Sequence, residues 1–266
     1  MMQPNNMDFT HLKTKKILLA EDVELNQYLA KHFLESRGLE VSIANNGFEA
    51  LALLKQRSFD CVLMDIQMPE MDGIQTAKQI RGLSDPIKSS IPIIALTANV
   101  LNEDIEKYKA AGMNDFLAKP FDECALMMVI ARNQVKKEGE GNVNGHSHGS
   151  VAGNVKLYDL SIVQSVSGGD KAFIKKMILL FMETVPQNVN ELTNALKTEN
   201  WEQVGKMAHK LKSTVDSMGI KSIHTDIRTV ESNAKQQKNL SEIAGLTSKI
   251  ESIISECIDQ LQAELQ

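Results

Sequence analysis

Asp65 is the residue of this chain that is best placed to act as a reactive carboxylate. It follows the apolar run 61–64 and precedes a turn that contains Pro69, Asp72 and Gly73. A short apolar run before such a turn predicts a buried strand that ends in a loop. Ligands of an open α/β sheet bind at the carboxyl ends of its strands. Asp65 is therefore predicted to lie where chemistry takes place.

Glu21 and Asp22 stand in the same position after the apolar run 17–20, just before a helical pattern over 24–36. Two adjacent acids at a strand end are costly to bring together unless a cation neutralises them. Mg²⁺ prefers oxygen ligands of this kind and binds a few carboxylates together with phosphate. The alternative, that both acids only cap the following helix, stays open.

Two further strand-like runs also end in a polar residue. Residues 93–96 lead to Thr97, and residues 116–118 lead to Lys119. A single threonine after a strand is usually a turn residue, and a single lysine is usually a solvated charge. Four runs that each present acids, a hydroxyl or an ammonium at the carboxyl end form a specific pattern.

This pattern resembles the receiver domain of response regulators, over residues 15–133. The resemblance implies an α/β fold, a five-stranded parallel, doubly wound (flavodoxin-like) sheet in the order 2-1-3-4-5. It also implies that Asp65 is the phosphoacceptor. The implied Mg²⁺ ligands are Glu21, Asp22, Asp65 and the backbone carbonyl of Gln67.

The resemblance further implies a mechanism in which Asp65 catalyses its own phosphorylation and forms an acyl phosphate. Lys119 would pair with Asp65 before the reaction and with the phosphate after it. Thr97 would donate a hydrogen bond to the phosphate and, with Phe116, form the conformational switch. The alternative that Phe116 is simply a core residue stays open.

Composition changes on both sides of this domain. Residues 1–14 are expected to be an N-terminal tail, and residues 134–154, rich in Gly, Ser and Asn, are expected to be a flexible linker. A coil of that length spans about 25 Å, which permits contact between the flanking domains without requiring it. His146 and His148 lie in this run without a rigid frame, so they are not expected to bind metal.

Residues 155–266 lack strand-like alternation and predict an all-α helical bundle. Pro186 is expected to interrupt a helix that begins after Asp170. A helix over 201–218 carries an apolar stripe, and His209 points away from that stripe, so it is expected to face water. Gly205, one turn earlier, is expected to leave the imidazole uncovered.

The sequence around His209 resembles the histidine phosphotransfer (Hpt) domain, whose signature is His-x-Leu-Lys followed by small residues and a glycine. The resemblance implies that His209 is phosphorylated and that Lys212 gives it electrostatic support. Two residues depart from the family pattern: Ser213 replaces a typical glycine, and Asp216 replaces a small neutral residue. Asp216 is expected either to repel an acidic receiver pocket or to orient His209.

Overall composition narrows the functional classes. The 266 residues carry a net charge of −5, which argues against a general role at nucleic acids or membrane surfaces. The sequence has no run of about 20 apolar residues, the length that a bilayer-spanning helix requires. The three cysteines have no metal or redox spacing. We expect a cytoplasmic protein without an ATP-dependent kinase core.

Together the two resemblances predict a phosphorelay protein like the C-terminal part of hybrid sensor kinases. A histidine kinase would donate to Asp65, and His209 would carry the phosphoryl group to or from a receiver, including a downstream response regulator. Alternatively, the receiver gates the Hpt domain without direct transfer from Asp65 to His209. Another alternative is a phosphate sink at Asp65. Whether the chain should be classed as an enzyme is left open.

Overall fold

A computed structural model of the protein describes residues 9–98, 102–134, 156–167 and 169–265. The predicted linker lies outside these ranges apart from Gln134, and so does most of the predicted tail. None of the helices in the described ranges has the length and apolar composition that a bilayer-spanning segment requires.

The first part of the chain forms a five-stranded parallel sheet with the order β2-β1-β3-β4-β5. This fold confirms the expected doubly wound arrangement. Strands β3 and β4 are completely buried, as expected for a parallel sheet with helices on both faces. The strands are β1 (Lys16–Ala20), β2 (Glu40–Ala44), β3 (Cys61–Asp65), β4 (Ile93–Thr97) and β5 (Asp115–Ala118).

Six helices accompany the sheet, and side-chain caps fix where several of them begin. Asn46 accepts a hydrogen bond from the Glu49 amide at the start of the second helix, and Asp72 accepts one from the Gln75 amide at the start of the third. The helices are α1 (Glu24–Ser36), α2 (Gly47–Gln56), α3 (Gly73–Arg81), α4 (Pro86–Ser89), α5 (Asn102–Ala110) and α6 (Glu123–Gln134).

Gly73 fixes the approach of α3 to the end of β3. A Cβ atom at this position would lie 2.1 Å from the carbonyl oxygen of Asp65, a distance that real side chains do not tolerate. The Gly73 amide also donates to the Ile66 carbonyl. A glycine at this position therefore lets the turn fold closely against Asp65.

The second part of the chain is a helical bundle, as expected. The Asp170 side chain caps its longest helix by accepting from the amides of Ala172 and Phe173. A short 3₁₀ turn, Lys221–Ile223, precedes the fourth helix. The helices are α7 (Ser161–Ser167), α8 (Lys171–Lys197), α9 (Trp201–Ser217), α10 (His224–Gln236) and α11 (Leu240–Glu264).

The expectation that Pro186 interrupts a helix is wrong. Helix α8 continues through Pro186 from Lys171 to Lys197. Val185 and Val189 on either side of it are buried in the bundle core. Burial of this continuous apolar face outweighs the lost backbone hydrogen bond, because tertiary packing supplies most of the stability of a helix in a folded protein.

The two parts of the chain pack against each other. The ring of Phe173, on α8, stacks on Tyr28 with a centroid separation of 5.1 Å and lies 3.9 Å from the centroid of His32. Tyr28 and His32 are four residues apart and therefore lie on one face of α1. One apolar cluster extends from the sheet through α1 into the bundle.

Candidate functional site

The carboxyl ends of β1 and β3 bring three acids together. Glu21 and Asp22 directly follow β1, and Asp65 is the last residue of β3. Carboxylate oxygens of the three residues lie within 4.8 Å of one another. The sequence-based expectation that these acids form one cluster agrees with this geometry.

Lys119 follows β5 and reaches into the acidic cluster. Its ammonium donates to Asp65 Oδ2 at 2.7 Å and to Glu21 Oε2 at 2.5 Å. Burial acts to lower the pKa of Lys119, but the adjacent carboxylates of Asp65 and Glu21 outweigh burial and hold the pKa above its ordinary range. Lys119 therefore stays charged and offsets one carboxylate of the cluster.

Glu21 is held in place on both oxygens. Its Oε1 accepts hydrogen bonds from the Val23 amide and the Asn26 side chain, at 3.2 and 3.1 Å, while Oε2 accepts from Lys119. Burial raises the pKa of Glu21 to about 7 against the opposing effect of Lys119, and the negative charge of Asp65 adds to the increase. Because both oxygens of Glu21 already accept hydrogen bonds, a cation beside this residue would be reached through a water molecule.

Asp22 has one oxygen that is free to bind a cation. Its Oδ2 pairs with Lys210, while its buried Oδ1 has no hydrogen-bond partner within the described residues. Burial and the charge of Asp65 raise the pKa of Asp22 despite the opposing effect of Lys210. An unpaired buried carboxylate oxygen beside two more acids fits an oxygen-preferring ion such as Mg²⁺.

The remaining predicted residues of this cluster surround Asp65. The Gln67 amide lies 3.3 Å from Asp65 Oδ1 and donates to it. Thr97, at the end of β4, is buried, and its hydroxyl lies 3.0 Å from the hydroxyl of Tyr108 on α5. Phe116, in β5, is half-buried and packs on the core. A Gln67 carbonyl ligand and a Thr97–Phe116 switch stay predictions.

The expectation that His209 faces water is wrong. The residue is only 9 % exposed, and its Nδ1 lies 2.8 Å from Oε1 of Glu231 on α10. The apolar stripe of α9 packs in the bundle core as expected, but α10 and α1 also pack against α9. The periodicity of one helix identifies its apolar side and carries no information about what covers the opposite side.

Gly205 has a packing role that differs from the predicted one. A Cβ atom there would lie 3.3 Å from Cγ of Lys235 and 3.9 Å from Cβ of Ala234, both on α10. The glycine therefore permits close approach of α10 to α9, which brings Glu231 to His209.

Glu231 links the positive groups around His209. Its Oε2 accepts from Lys212 at 2.6 Å, and its Oε1 accepts from Lys235 at 2.6 Å. Burial acts to raise the pKa of Glu231, but the hydrogen bonds and charges of His209 and Lys212 outweigh burial and hold it well below its usual range. Glu231 is therefore a carboxylate at neutral pH.

Sequence reasoning missed Glu231, although a signal for it was present. Glu231 falls on the buried face of α10 together with Ile227, Val230 and Ala234, at helical spacing. A charged residue within such an apolar stripe is rarely buried without a partner. Tyr108, the partner of Thr97, offered no comparable signal.

Asp216 neither orients His209 nor presents a free negative charge. Its carboxylate pairs with Arg228 at 2.8 Å and with Nε2 of His224 at 3.3 Å. The expected role of Asp216 in orienting His209 is therefore wrong, because α10 supplies partners for Asp216 that one helix viewed alone does not reveal. Repulsion of a receiver pocket by Asp216 stays a prediction.

The helix that carries His209 lies against the acidic cluster. Lys210 Nζ is 3.2 Å from Asp22 Oδ2, and Lys235 Nζ donates to the Gln67 side chain at 2.9 Å. The contact continues along a cleft whose lining residues are Asn26, Leu29, Lys119, Pro120, Phe121, Ser213, Asp216 and Ser217.

Comparison with known families matches both halves of the chain. The model of the response regulator receiver domain matches residues 17–131, and the model of the Hpt domain matches residues 176–264. The chain therefore joins a receiver domain to an Hpt domain. These are domains of two-component phosphorelay signalling, in agreement with the sequence-based expectation.

Curated relatives match most of the chain. The chain is 30% identical over 214 residues to the aerobic respiration control sensor protein ArcB of Escherichia coli K12, which covers 80% of the chain and 27% of ArcB. It is 27% identical over 248 residues to the signal transduction histidine-protein kinase BarA of the same strain, a match that covers 90% of the chain and 26% of BarA. The chain thus spans about a quarter of the length of these relatives.

Solved structures resemble the receiver part. The receiver domain of sensor histidine kinase PA1611 from Pseudomonas aeruginosa, with a magnesium ion in its active-site cleft, is 37% identical. The match covers 46% of this chain and 98% of that domain, with a TM-score of 0.43.

Proposed function

We propose that the chain is a phosphorelay intermediate in which Asp65 accepts a phosphoryl group from the phosphohistidine of a histidine kinase and exchanges it with His209 of the same chain. The observation that carries this proposal is the docking of α9 on the acidic cluster, through Lys210 and Asp22 at 3.2 Å. Lys235 bonds both Gln67 of the receiver and Glu231, the hydrogen-bond partner of His209, so the network around the acceptor reaches the contact. A downstream response-regulator receiver is the proposed external partner of His209.

Asp65 is the proposed nucleophile of the receiver. One of its carboxylate oxygens forms a bond to phosphorus, while the bond from phosphorus to the donor nitrogen breaks and its electron pair stays with the imidazole. Lys119 contacts Asp65 Oδ2 and is positioned to pair with the phosphoryl oxygens once negative charge lies on them. Thr97 ends β4, the strand beside β3, and its hydroxyl is the proposed hydrogen-bond donor to the phosphate.

Mg²⁺ is the proposed cofactor of this step. Asp22 and Asp65 would hold the ion directly, Glu21 would hold it through water, and the Gln67 carbonyl completes the proposed ligand set. When bound, the ion supplies positive charge that offsets the carboxylates and the incoming phosphoryl oxygens. The unpaired Oδ1 of Asp22 is the main structural support for this ligand set.

His209 is suited to accept the group on one particular nitrogen. The Glu231 carboxylate accepts the Nδ1–H hydrogen bond and thereby leaves the lone pair on Nε2 for attack. Lys212, 2.6 Å from Glu231, is a positive group of the same network and is the proposed electrostatic support for a phosphoryl group on the ring.

The relay is tested by phosphorylating the full chain with acetyl phosphate and Mg²⁺ and mapping the modified residues. Acid lability identifies phosphohistidine and base lability identifies acyl phosphate. We expect both forms in the wild type, acyl phosphate alone in His209→Gln, and neither in Asp65→Asn. Undiminished phosphohistidine in Asp65→Asn contradicts passage through Asp65.

Gating of the Hpt domain by the receiver is a second candidate, favoured by the burial of both acceptors in the docked arrangement. Asp65 is 3 % exposed and His209 is 9 % exposed, so external partners reach neither without rearrangement. Single-turnover labelling separates the two functions. Transfer of label from Asp65 to His209 supports the relay, whereas stable label on Asp65, with faster labelling of His209 by an external phosphorylated receiver, supports gating.

A further inference from the structure

Lys210 belongs to the Hpt domain, yet it neutralises a carboxylate of the receiver. Its ammonium lies 3.2 Å from Asp22 Oδ2, and its side chain is 29 % exposed while that of Asp22 is 5 % exposed. An ion pair with one partner this buried is screened less by solvent than a pair on an open surface.

Docking changes the formal charge of the acidic cluster. Counted as ionised carboxylates, Glu21, Asp22 and Asp65 contribute three formal negative charges, and Lys119 within the receiver offsets one of them. Lys210 offsets a second, so the formal net charge of the cluster is −2 without the Hpt domain and −1 with it docked. Affinity for a divalent cation falls when the net negative charge of its ligands is reduced.

The two oxygens of Asp22 have different environments. Oδ2 pairs with Lys210, while Oδ1 is buried and has no hydrogen-bond partner in the described part of the chain. A cation at Oδ1 and the ammonium at Oδ2 would share one carboxylate and repel each other. The competition therefore acts through charge at a shared residue and does not require Lys210 to occupy the position of the ion.

We propose that Lys210 is a tethered cation that opposes Mg²⁺ at Asp22, so that Mg²⁺ binding and docking of the Hpt domain on the receiver weaken each other. This inference rests on the proposed Mg²⁺ site of the receiver. Coupling between two binding events is reciprocal and typically amounts to about 5–150-fold in affinity. Because Lys210 is partly exposed, we expect about fivefold, the low end of that range.

Calorimetric titration of the full chain with MgCl₂ at constant ionic strength tests the proposal. Lys210→Gln should lower the Mg²⁺ dissociation constant about fivefold relative to the wild type. Lys206→Gln is the matched control, because Lys206 lies one turn earlier on α9, pairs with Glu202 on its own helix and gives the same change of net charge. The control should leave the constant unchanged.

A double-mutant cycle separates docking from a simple charge effect. Tyr28→Ala removes the ring that stacks on Phe173 and should also strengthen Mg²⁺ binding by favouring the undocked arrangement. Because both changes act on the same contact, adding Tyr28→Ala to Lys210→Gln should give little further gain. Fully additive gains would overturn the proposed link to docking.

The remaining outcomes also decide the matter. Equal affinities of the wild type and Lys210→Gln overturn the role of Lys210 while leaving the Mg²⁺ site intact. Binding that Asp22→Asn does not weaken shows that the ion binds elsewhere, which overturns both this inference and the proposed site. Tighter binding in Lys210→Gln, with Lys206→Gln equal to the wild type, supports the proposal.

Discussion

Nδ1 of His209 lies 2.8 Å from Oε1 of Glu231, across the contact between α9 and α10. The two residues are buried together, and the carboxylate also pairs with Lys212 and Lys235. Lys235 extends this network to Gln67 on the receiver. The environment of His209 is therefore set by the helix packed beside it and by the receiver docked on it.

Replacing Glu231 with glutamine should slow phosphorylation of His209. The amide keeps the size of the side chain but removes the negative charge that fixes the Nδ1 proton and stabilises the ring as it becomes positive. Loss of a preorganised electrostatic partner costs about 10²–10³-fold in rate, and we expect about 10²-fold here. The measurement is the single-turnover rate of phosphohistidine formation after acetyl phosphate treatment.

Glu202→Gln is the matched control for this experiment. Glu202 lies at the solvent-exposed start of α9 and pairs with Lys206, so its loss should leave the rate unchanged. A Glu231→Gln protein that forms phosphohistidine as fast as the control would show that Glu231 does not position His209.

The stability of the Hpt domain should depend on pH through Glu231. Because its pKa in the folded protein is held below the ordinary value of 4.5, the stabilisation is present above that pH. It is lost as the pH falls below 4.5 towards the folded pKa. Glu231→Gln should lower the free energy of unfolding at pH 7 by about 2 kcal/mol, the usual contribution of a hydrogen bond to a charged group.

Trp201 makes this prediction measurable in the full chain. It is the single tryptophan and lies at the start of α9, so its fluorescence during urea denaturation reports on the Hpt domain. We expect the difference between the wild type and Glu231→Gln to stay constant above pH 4.5 and to shrink progressively as the pH falls below that value. A difference that stays constant below pH 4.5 as well argues against ionisation of Glu231 as its source.

Tyr28→Ala should slow transfer between the two domains when Mg²⁺ is saturating. Tyr28 stacks on Phe173, and an aromatic pair contributes about 0.5–1.5 kcal/mol beyond its buried area, which corresponds to about two- to tenfold in rate. The measurement is the rate at which label leaves Asp65 for His209. Phe48→Ala, an exposed aromatic on α2, is the control, and an equal effect of both changes would rule out a specific role of the stack.

The parallel sheet and its acidic cluster were predictable from the sequence. Four of the strands contain short apolar runs, whereas β2 was expected only from the family resemblance. A parallel sheet places the carboxyl ends of its strands at one edge, so the polar residues that follow the four runs must meet. Asp65 and Lys119 are within 2.7 Å for this reason. The residues of this site directly follow strands, and the sequence predicts where those strands end.

The surroundings of His209 were not predictable in the same way. Helical periodicity predicts which side of α9 enters the core, but the partners on the other side come from α10 and from the receiver. Glu231 is 22 residues from His209, and Asp22 is 188 residues from Lys210. Pro186 illustrates the same limit, because the packing of α8 overrides the local preference of proline for interrupting a helix.

Chelation of Mg²⁺ should suppress phosphorylation of Asp65 by acetyl phosphate. A metal ion at such a site contributes several kcal/mol of charge stabilisation, so we expect a loss of about 10²-fold or more on addition of EDTA. Asp22→Asn should show a comparable loss with Mg²⁺ present. Asp60→Asn is the matched control, because Asp60 pairs with Lys15 at the opposite end of the sheet. Rates that survive both EDTA and Asp22→Asn would exclude a catalytic cation at this cluster.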